Sequence, residues 1–216
     1  YGPEDFARLA ARLDGVPRCD AIEINISCPN VKAGGLDMST RPRLAGEVVR
    51  AVRAATGKPV WTKLTPNVTS ISSVGRACLE AGADGLSAIN TLLGMKVDVE
   101  RRAPALRRGV GGLSGPAIRP VALAKCWELV RVLGCDVIGI GGIARAEDAL
   151  EFLIAGCKAV QVGTAVYADP DCPARIAAGV GEYLAARGLG SVGEVVGSLR
   201  VDPDWVIEPR RTEEGE

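Results

Sequence analysis

The chain has 216 residues with 26 basic and 26 acidic side chains, so its formal net charge is zero and no electrostatic footprint marks it for nucleic acid or an anionic membrane surface. Apolar residues make up 47% and aromatic ones only 4%, which fills a core mainly with aliphatic side chains. There is no histidine, which excludes His-based triads, HExxH zinc sites and imidazole bases from this stretch of sequence.

In chain order, Phe6, Leu9, Ala10 and Leu13 recur at helical steps, with Pro3 where a first turn tolerates proline. A strand is predicted over residues 21–27, where Ile22, Ile24 and Ile26 share one face and Glu23, Asn25 and Ser27 the other. A second helix carries Leu44, Val48, Val49 and Val52 and is expected to stop at Gly57. Strands follow over 59–65, 84–90, 136–142 and 158–164, with helices over 71–79, 117–133, 148–154 and 173–186. Residues 91–115 read as a long irregular loop, and 201–216 as a polar tail.

Three helix ends repeat one pattern before a strand: Glu80-Ala-Gly-Ala-Asp-Gly-Leu, Val132-Leu-Gly-Cys-Asp-Val and Ile154-Ala-Gly-Cys-Lys-Ala-Val. A repeat of helix, glycine and strand predicts successive βα units on a parallel sheet. Short strands ending in Asn, Ser, Gly or Thr point to a (β/α)8 TIM barrel with its chemistry at the C-terminal strand ends. The structural rival, a doubly wound sheet, would place GxGxxG after its first strand, and none follows Ile26. Residues 1–200 are read as one domain, with 201–216 outside it.

The seven cysteines, Cys19, Cys28, Cys78, Cys126, Cys135, Cys157 and Cys172, are scattered and never spaced CxxC. Neither a disulfide framework nor a metal site is expected, and most should be small buried hydrophobes in a reducing compartment. No run of eighteen apolar residues and no signal-peptide pattern occurs, so a soluble, cytoplasmic protein is expected.

Five groups could carry chemistry. Ile140-Gly-Gly-Ile143 and Gln161-Val-Gly-Thr164 close the last two strands, where barrels commonly bind phosphate through glycine-turn amides; the alternative is that these glycines only make tight turns. Cys28 follows the first strand between Asn25 and Asn30, as a polar-site thiol able to act as a base or as an inert packed one. Lys63, mid-strand among apolar neighbours, should meet an anion or a polarised carbonyl, unless it sits in water on an edge. Asn90 and Thr91 end the next strand at the same rim. Arg101, Arg102, Arg107 and Arg108 could bind an anion in the long loop, although such arginines are usually just solvated. A flavin suits this set, because the cofactor brings the redox chemistry and the protein supplies position and electrostatics.

Glu23-Ile-Asn-Ile-Ser-Cys-Pro-Asn-Val-Lys32, Lys63-Leu-Thr-Pro-Asn67, Ala83-Asp-Gly-Leu-Ser-Ala-Ile-Asn-Thr-Leu-Leu-Gly-Met95, Gly111-Gly-Leu-Ser-Gly-Pro-Ala-Ile118 and Ile138-Gly-Ile-Gly-Gly-Ile143 together resemble dihydroorotate dehydrogenase of class 1. The Val-Lys-x-Gly-Gly continuation is similar to class 1B, although Leu-Asp-Met-Ser stands where that class usually has an aromatic and another glycine.

The resemblance implies an FMN-dependent barrel that oxidises dihydroorotate to orotate in pyrimidine synthesis. It makes Cys28 the base for the C5 proton, with hydride leaving C6 for the flavin. Asn25 would touch flavin and substrate, Lys63 the N1/O2 edge of the flavin, and Ile89 the flavin through its backbone. Asn30, Asn90 and Thr91 would hold the pyrimidine. Gly115, Gly141, Gly142, Gly163 and Thr164 would line the phosphate path. It further implies a homodimer, and a second subunit carrying FAD and a [2Fe–2S] cluster that passes electrons to NAD within a heterotetramer. Three βα units would precede Tyr1, leaving five of eight here. Two alternatives remain: a dihydropyrimidine dehydrogenase-like flavin barrel, whose usual Met-Gly-Glu-Arg pattern is absent, and a non-catalytic flavin-binding or interaction protein.

Overall fold

The computed structural model describes residues 2–27 and 35–202, so the expectations placed on Cys28, Asn30 and residues 203–216 fall outside the described residues. The chain runs from helix α1 (Pro3–Asp14) to strand β1 (Ile22–Asn25), then α2 (Gly35–Thr40) and α3 (Pro42–Arg53). Next come β2 (Val60–Leu64), α4 (Ile71–Glu80) and β3 (Gly85–Ala88). Four short strands follow, β4 (Leu92–Met95), β5 (Val97–Asp98), β6 (Ala103–Pro104) and β7 (Val110–Leu113). A 3₁₀ turn (Pro116–Ile118) leads into α5 (Arg119–Leu133) and β8 (Val137–Ile140). The described chain closes with α6 (Ala146–Ile154), β9 (Ala159–Gln161), α7 (Ala165–Ala168), α8 (Cys172–Ala185) and a last 3₁₀ turn (Val192–Glu194).

Five strands form one parallel sheet in the order β1-β2-β3-β8-β9. The order follows the chain and never reverses. A doubly wound sheet must reverse at a switch point, whereas the wall of a barrel adds each strand beside the last. The two edges also curl toward each other, since Gln161 Nε2 on β9 donates to Glu23 Oε2 on β1 over 2.7 Å. The predicted α/β architecture, with five βα units of a barrel, is therefore present.

Side-chain alternation divides each strand between two environments. Ile22, Ile24, Val60, Leu64, Leu86, Ala88 and Val137 are buried against the helices. There they meet Val48, Val49 and Val52 of α3, Ile71, Val74 and Cys78 of α4, Ala122, Cys126 and Leu129 of α5, and Phe152 of α6. The opposite face, which turns toward the barrel interior, carries Glu23 and Asn25, Trp61 and Lys63, Ser87, and Gln161. Gly85 allows the Trp61 ring to lie across β3, because any Cβ there would collide with it.

The repeated glycine has one geometric reason. Gly82, Gly134 and Gly156, which end α4, α5 and α6, all have positive φ (104°, 62° and 112°), where L side chains are disfavoured. Gly57 does not act this way. Helix α3 stops at Arg53, whose guanidinium bonds the Thr56 and Lys58 carbonyls, while the Gly57 amide donates to Asp14 Oδ1 over 2.8 Å. That bond and one from the Thr56 hydroxyl (2.6 Å) hold the Asp14 carboxyl below its ordinary pKa, the hydroxyl bond contributing most.

Residues 91–115 are also more ordered than their sequence suggests. They form nested antiparallel pairs, β4 with β7 and β5 with β6. The strands are short and contain Gly94, Gly111 and Gly112, and β4 alternates half-buried Leu92 and Gly94 with exposed Leu93 and Met95, so its sequence shows no apolar–polar alternation. Arg101, Arg102, Arg107 and Arg108 are exposed on this arm. No helix among the described residues is long and apolar enough to cross a membrane.

Candidate active site

A cavity of about 540 Å³ opens at the C-terminal ends of β2, β3, β8 and β9. Its wall brings together Lys63, Ile89, Asn90, Thr91, Gly115, Gly141, Gly142, Gly163 and Thr164, residues nominated from five separate stretches of sequence. Its size is within the usual range for a cofactor site, roughly 300–1,000 Å³. Asn25 joins this rim through Asn90.

The amide rim is a hydrogen-bonded unit. Asn90 Nδ2 donates to the Ser27 hydroxyl over 2.8 Å and to Asn25 Oδ1 over 3.3 Å. The Ser27 amide and hydroxyl also donate to Asn25 Oδ1, over 3.1 and 2.9 Å. The Asn25 oxygen is thus committed to this network, and its NH2 is what it can offer a ligand. Asn90 Oδ1 accepts from the Thr91 amide over 2.8 Å, which fixes the turn after β3.

Asn67, the last residue of the Lys63-Leu-Thr-Pro-Asn67 motif and without an expected role, supports the same turn. Its Nδ2 donates to the Thr91 carbonyl (3.0 Å) and its Oδ1 accepts from the Leu93 amide (2.9 Å), joining the β2–α4 loop to the hairpin arm. Gly112 of that arm passes directly over Thr91, whose side chain would collide with any Cβ there. The signal for Asn67 was its motif; its target, 24 residues away, could not be read from spacing.

The glycine rim is shaped by packing from behind. Gly142, at φ 73°, presses against the start of α5, and a Cβ on it would come within 2.8 Å of the Gly115 carbonyl and of Arg119 Cβ. Gly115 and Gly163 are the converse case. A Cβ on either would meet no protein atom within 4 Å, so both present bare backbone to the cavity. Asp148, 2% exposed, accepts from the Ala144 and Arg145 amides over 2.9 and 3.0 Å and pairs with Arg119 Nη1 over 2.6 Å. With those two amides committed, the glycine turns are where backbone N–H groups can face a phosphate. The donor set fits a phosphorylated, planar cofactor.

Lys63 is held from the interior side. Its Nζ lies 3.7 Å from Glu23 Oε1, with 21% of the lysine side chain and 29% of the glutamate exposed. The described cysteines are set apart from this rim's polar chemistry. Cys126 is buried and donates to the Ala88 carbonyl over 3.0 Å, and burial pushes its thiol up, with Cys157 adding to the rise. Burial pushes Cys78 up to about 12 and Cys135 up to about 11, so neither supplies a thiolate at neutral pH. Cys172 borders the cavity but is 3% exposed.

Comparison with known proteins agrees with this geometry. Residues 2–184 match the family model described as dihydroorotate dehydrogenase. The chain belongs to the dihydroorotate dehydrogenase family. It is 53% identical over 199 residues to the dihydroorotate dehydrogenase B (NAD(+)) catalytic subunit of Trichlorobacter lovleyi, covering 92% of this chain and 66% of that protein. Against the Geobacter sulfurreducens protein of the same description it is 54% identical over 198 residues, covering 92% and 65%. The chain therefore spans about two thirds of the length of these relatives, just under that share in each case. A solved structure of the Eimeria tenella dihydroorotate dehydrogenase with ferulenol superposes with a TM-score of 0.73 at 21% identity, over 91% of this chain and 56% of that one. That likeness supports the shared dehydrogenase fold.

Proposed function

We propose that this dihydroorotate dehydrogenase family member is the FMN-binding, catalytic part of a class 1B enzyme that oxidises dihydroorotate to orotate. The observation that carries the reading is the convergence of Lys63, Ile89, Asn90, Thr91 and the Gly115, Gly141–Gly142 and Gly163–Thr164 turns on one cavity at the strand ends. When bound, FMN supplies the two-electron acceptor that takes the substrate's C6 hydride.

The chain's own groups do the rest. The glycine turns and Thr164 hold the phosphate by backbone and hydroxyl donors. Lys63 stabilises negative charge at the pyrimidine edge of the ring. Asn25, Asn30, Asn90 and Thr91 orient the pyrimidine substrate, with Asn90 fixed by Asn25 and Ser27. Cys28, three residues beyond β1, is the base for the C5 proton, so proton and hydride leave adjacent carbons and a C5–C6 double bond forms. The described cysteines are poor rivals for that role, since Cys78 and Cys126 are buried with raised pKa values.

The same reading assigns final electron transfer to NAD through a partner subunit carrying FAD and a [2Fe–2S] cluster, in a heterotetramer built on a homodimer in the cytoplasm. The test is anaerobic. The full-length protein should carry yellow FMN that bleaches with dihydroorotate; colourless protein, or flavin that stays oxidised, overturns the reading.

A further inference from the structure

Glu23 points into the barrel interior from β1, the same face as Asn25, yet nothing in the reaction above uses it. Both of its carboxylate oxygens are engaged by other strands. Oε1 lies 3.7 Å from Lys63 Nζ on β2, and Oε2 accepts from Gln161 Nε2 on β9 over 2.7 Å. In the register of the sheet Glu23 pairs with Trp61 and Asn25 with Lys63, so the glutamate sits one layer beneath the lysine. Gln161, fixing the second oxygen from across the interior, limits the orientations in which the carboxylate can turn away. Lys63 lines the cavity, whereas Glu23 does not.

We propose that Glu23 is a positioning residue that holds the Lys63 ammonium back toward β1, setting how strongly the site favours a reduced flavin. The inference rests on the reading that Lys63 faces FMN. Reduction places negative charge at the pyrimidine edge of the ring, and a nearby cation stabilises it. A carboxylate behind that cation opposes the effect by drawing the ammonium toward itself and away from the ring, so it acts through the position of the lysine. Glu23 thus keeps the FMN potential lower than Lys63 alone would make it, which favours passing electrons onward over retaining them.

The test is the midpoint potential of FMN in the full-length holoprotein, read spectroscopically. Glu23→Gln, which keeps size and a hydrogen-bonding end but removes the charge, should shift the potential upward. Lys63→Gln should shift it downward. In the double variant the Glu23→Gln shift should largely disappear, because the carboxylate acts through the lysine. A Glu23→Gln shift of equal size in both backgrounds, or none with Lys63 present, overturns the proposal. If Lys63→Gln alone leaves flavin binding, spectrum and potential unchanged, the placement of Lys63 at the flavin fails instead. Should Glu23→Gln not yield folded holoprotein, Glu23→Asp carries the test. It keeps the charge but withdraws it from the ammonium, so a smaller upward shift is expected and its absence counts against the proposal.

Discussion

The two faces of the five-stranded sheet obey opposite rules although every strand contributes to both. Toward the helices the side chains are mostly aliphatic and fully buried, as with Val60, Leu64 and Leu86, Thr62 being the polar exception. Toward the interior, Trp61, Ile138 and Ile140 alternate with Glu23, Asn25, Lys63 and Gln161; Glu23 joins Lys63 and Gln161, and Lys63 opens onto the cavity at the strand ends. A parallel strand covered only on its helix side can spend alternate positions on stability and on chemistry without mixing them. Mutations on the two faces should therefore separate into losses of stability and losses of function.

The largest stability effect belongs to the outer face. Phe152 is 0% exposed and packs against Gly139, which has no side chain because one would strike the ring. Phe152→Ala should cost about 3–5 kcal/mol, measured by chemical denaturation. A loss under about 1 kcal/mol would mean that the helix layer repacks freely.

For the reaction, Cys28→Ala should leave stability and FMN binding unchanged while slowing flavin reduction by dihydroorotate by a factor of about 100 or more. Near-normal reduction would remove Cys28 from the reaction. Gly142→Ala tests where the two regions meet. Its positive φ and the neighbouring Gly115 carbonyl make a side chain there cost about 1–3 kcal/mol of backbone strain. The rim should shift, and FMN should be retained less well than riboflavin relative to the parent protein, since riboflavin lacks the phosphate. An unchanged ratio would place the phosphate elsewhere.

At neutral pH the smallest effect is a pH dependence on the dry side. Burial raises the Cys78 thiol from about 9 to about 12, so the unfolded chain loses this proton more readily than the folded one. The buried thiol carries no penalty below about pH 9, and stability falls as pH rises from about 9 toward about 12. Denaturation midpoints at neutral and alkaline pH should show a decline that Cys78→Ala reduces.

Much of this was legible from residue order. Ile22, Ile24 and Ile26 announced which way Glu23 and Asn25 face, and Gly82, Gly134 and Gly156 marked three helix ends because positive φ leaves a local signature. The hairpin arm over residues 91–115 was not legible, because apolar residues such as Leu93 and Met95 fill its exposed positions and leave no alternation to read. Gly57 misled for the opposite reason: beyond α3 the chain is held by the Arg53 side chain and by Asp14, which reaches the Gly57 amide from 43 residues away.

By itself the sequence determined which residues are chemically able to act: a thiol between two asparagines, an inward lysine, and glycine turns after the last two strands. These are local properties, set by strand alternation and backbone freedom. Only the tertiary structure decided that Asn67 braces Thr91, that Arg119 reaches Asp148 behind the Gly142 turn, and that Glu23 lies between Lys63 and Gln161. Those partners come from different strands and loops, 24 to 138 residues apart in the long-range pairs. Their meeting depends on how far the sheet curls, which packing of the helices on its outer face determines and no single segment encodes.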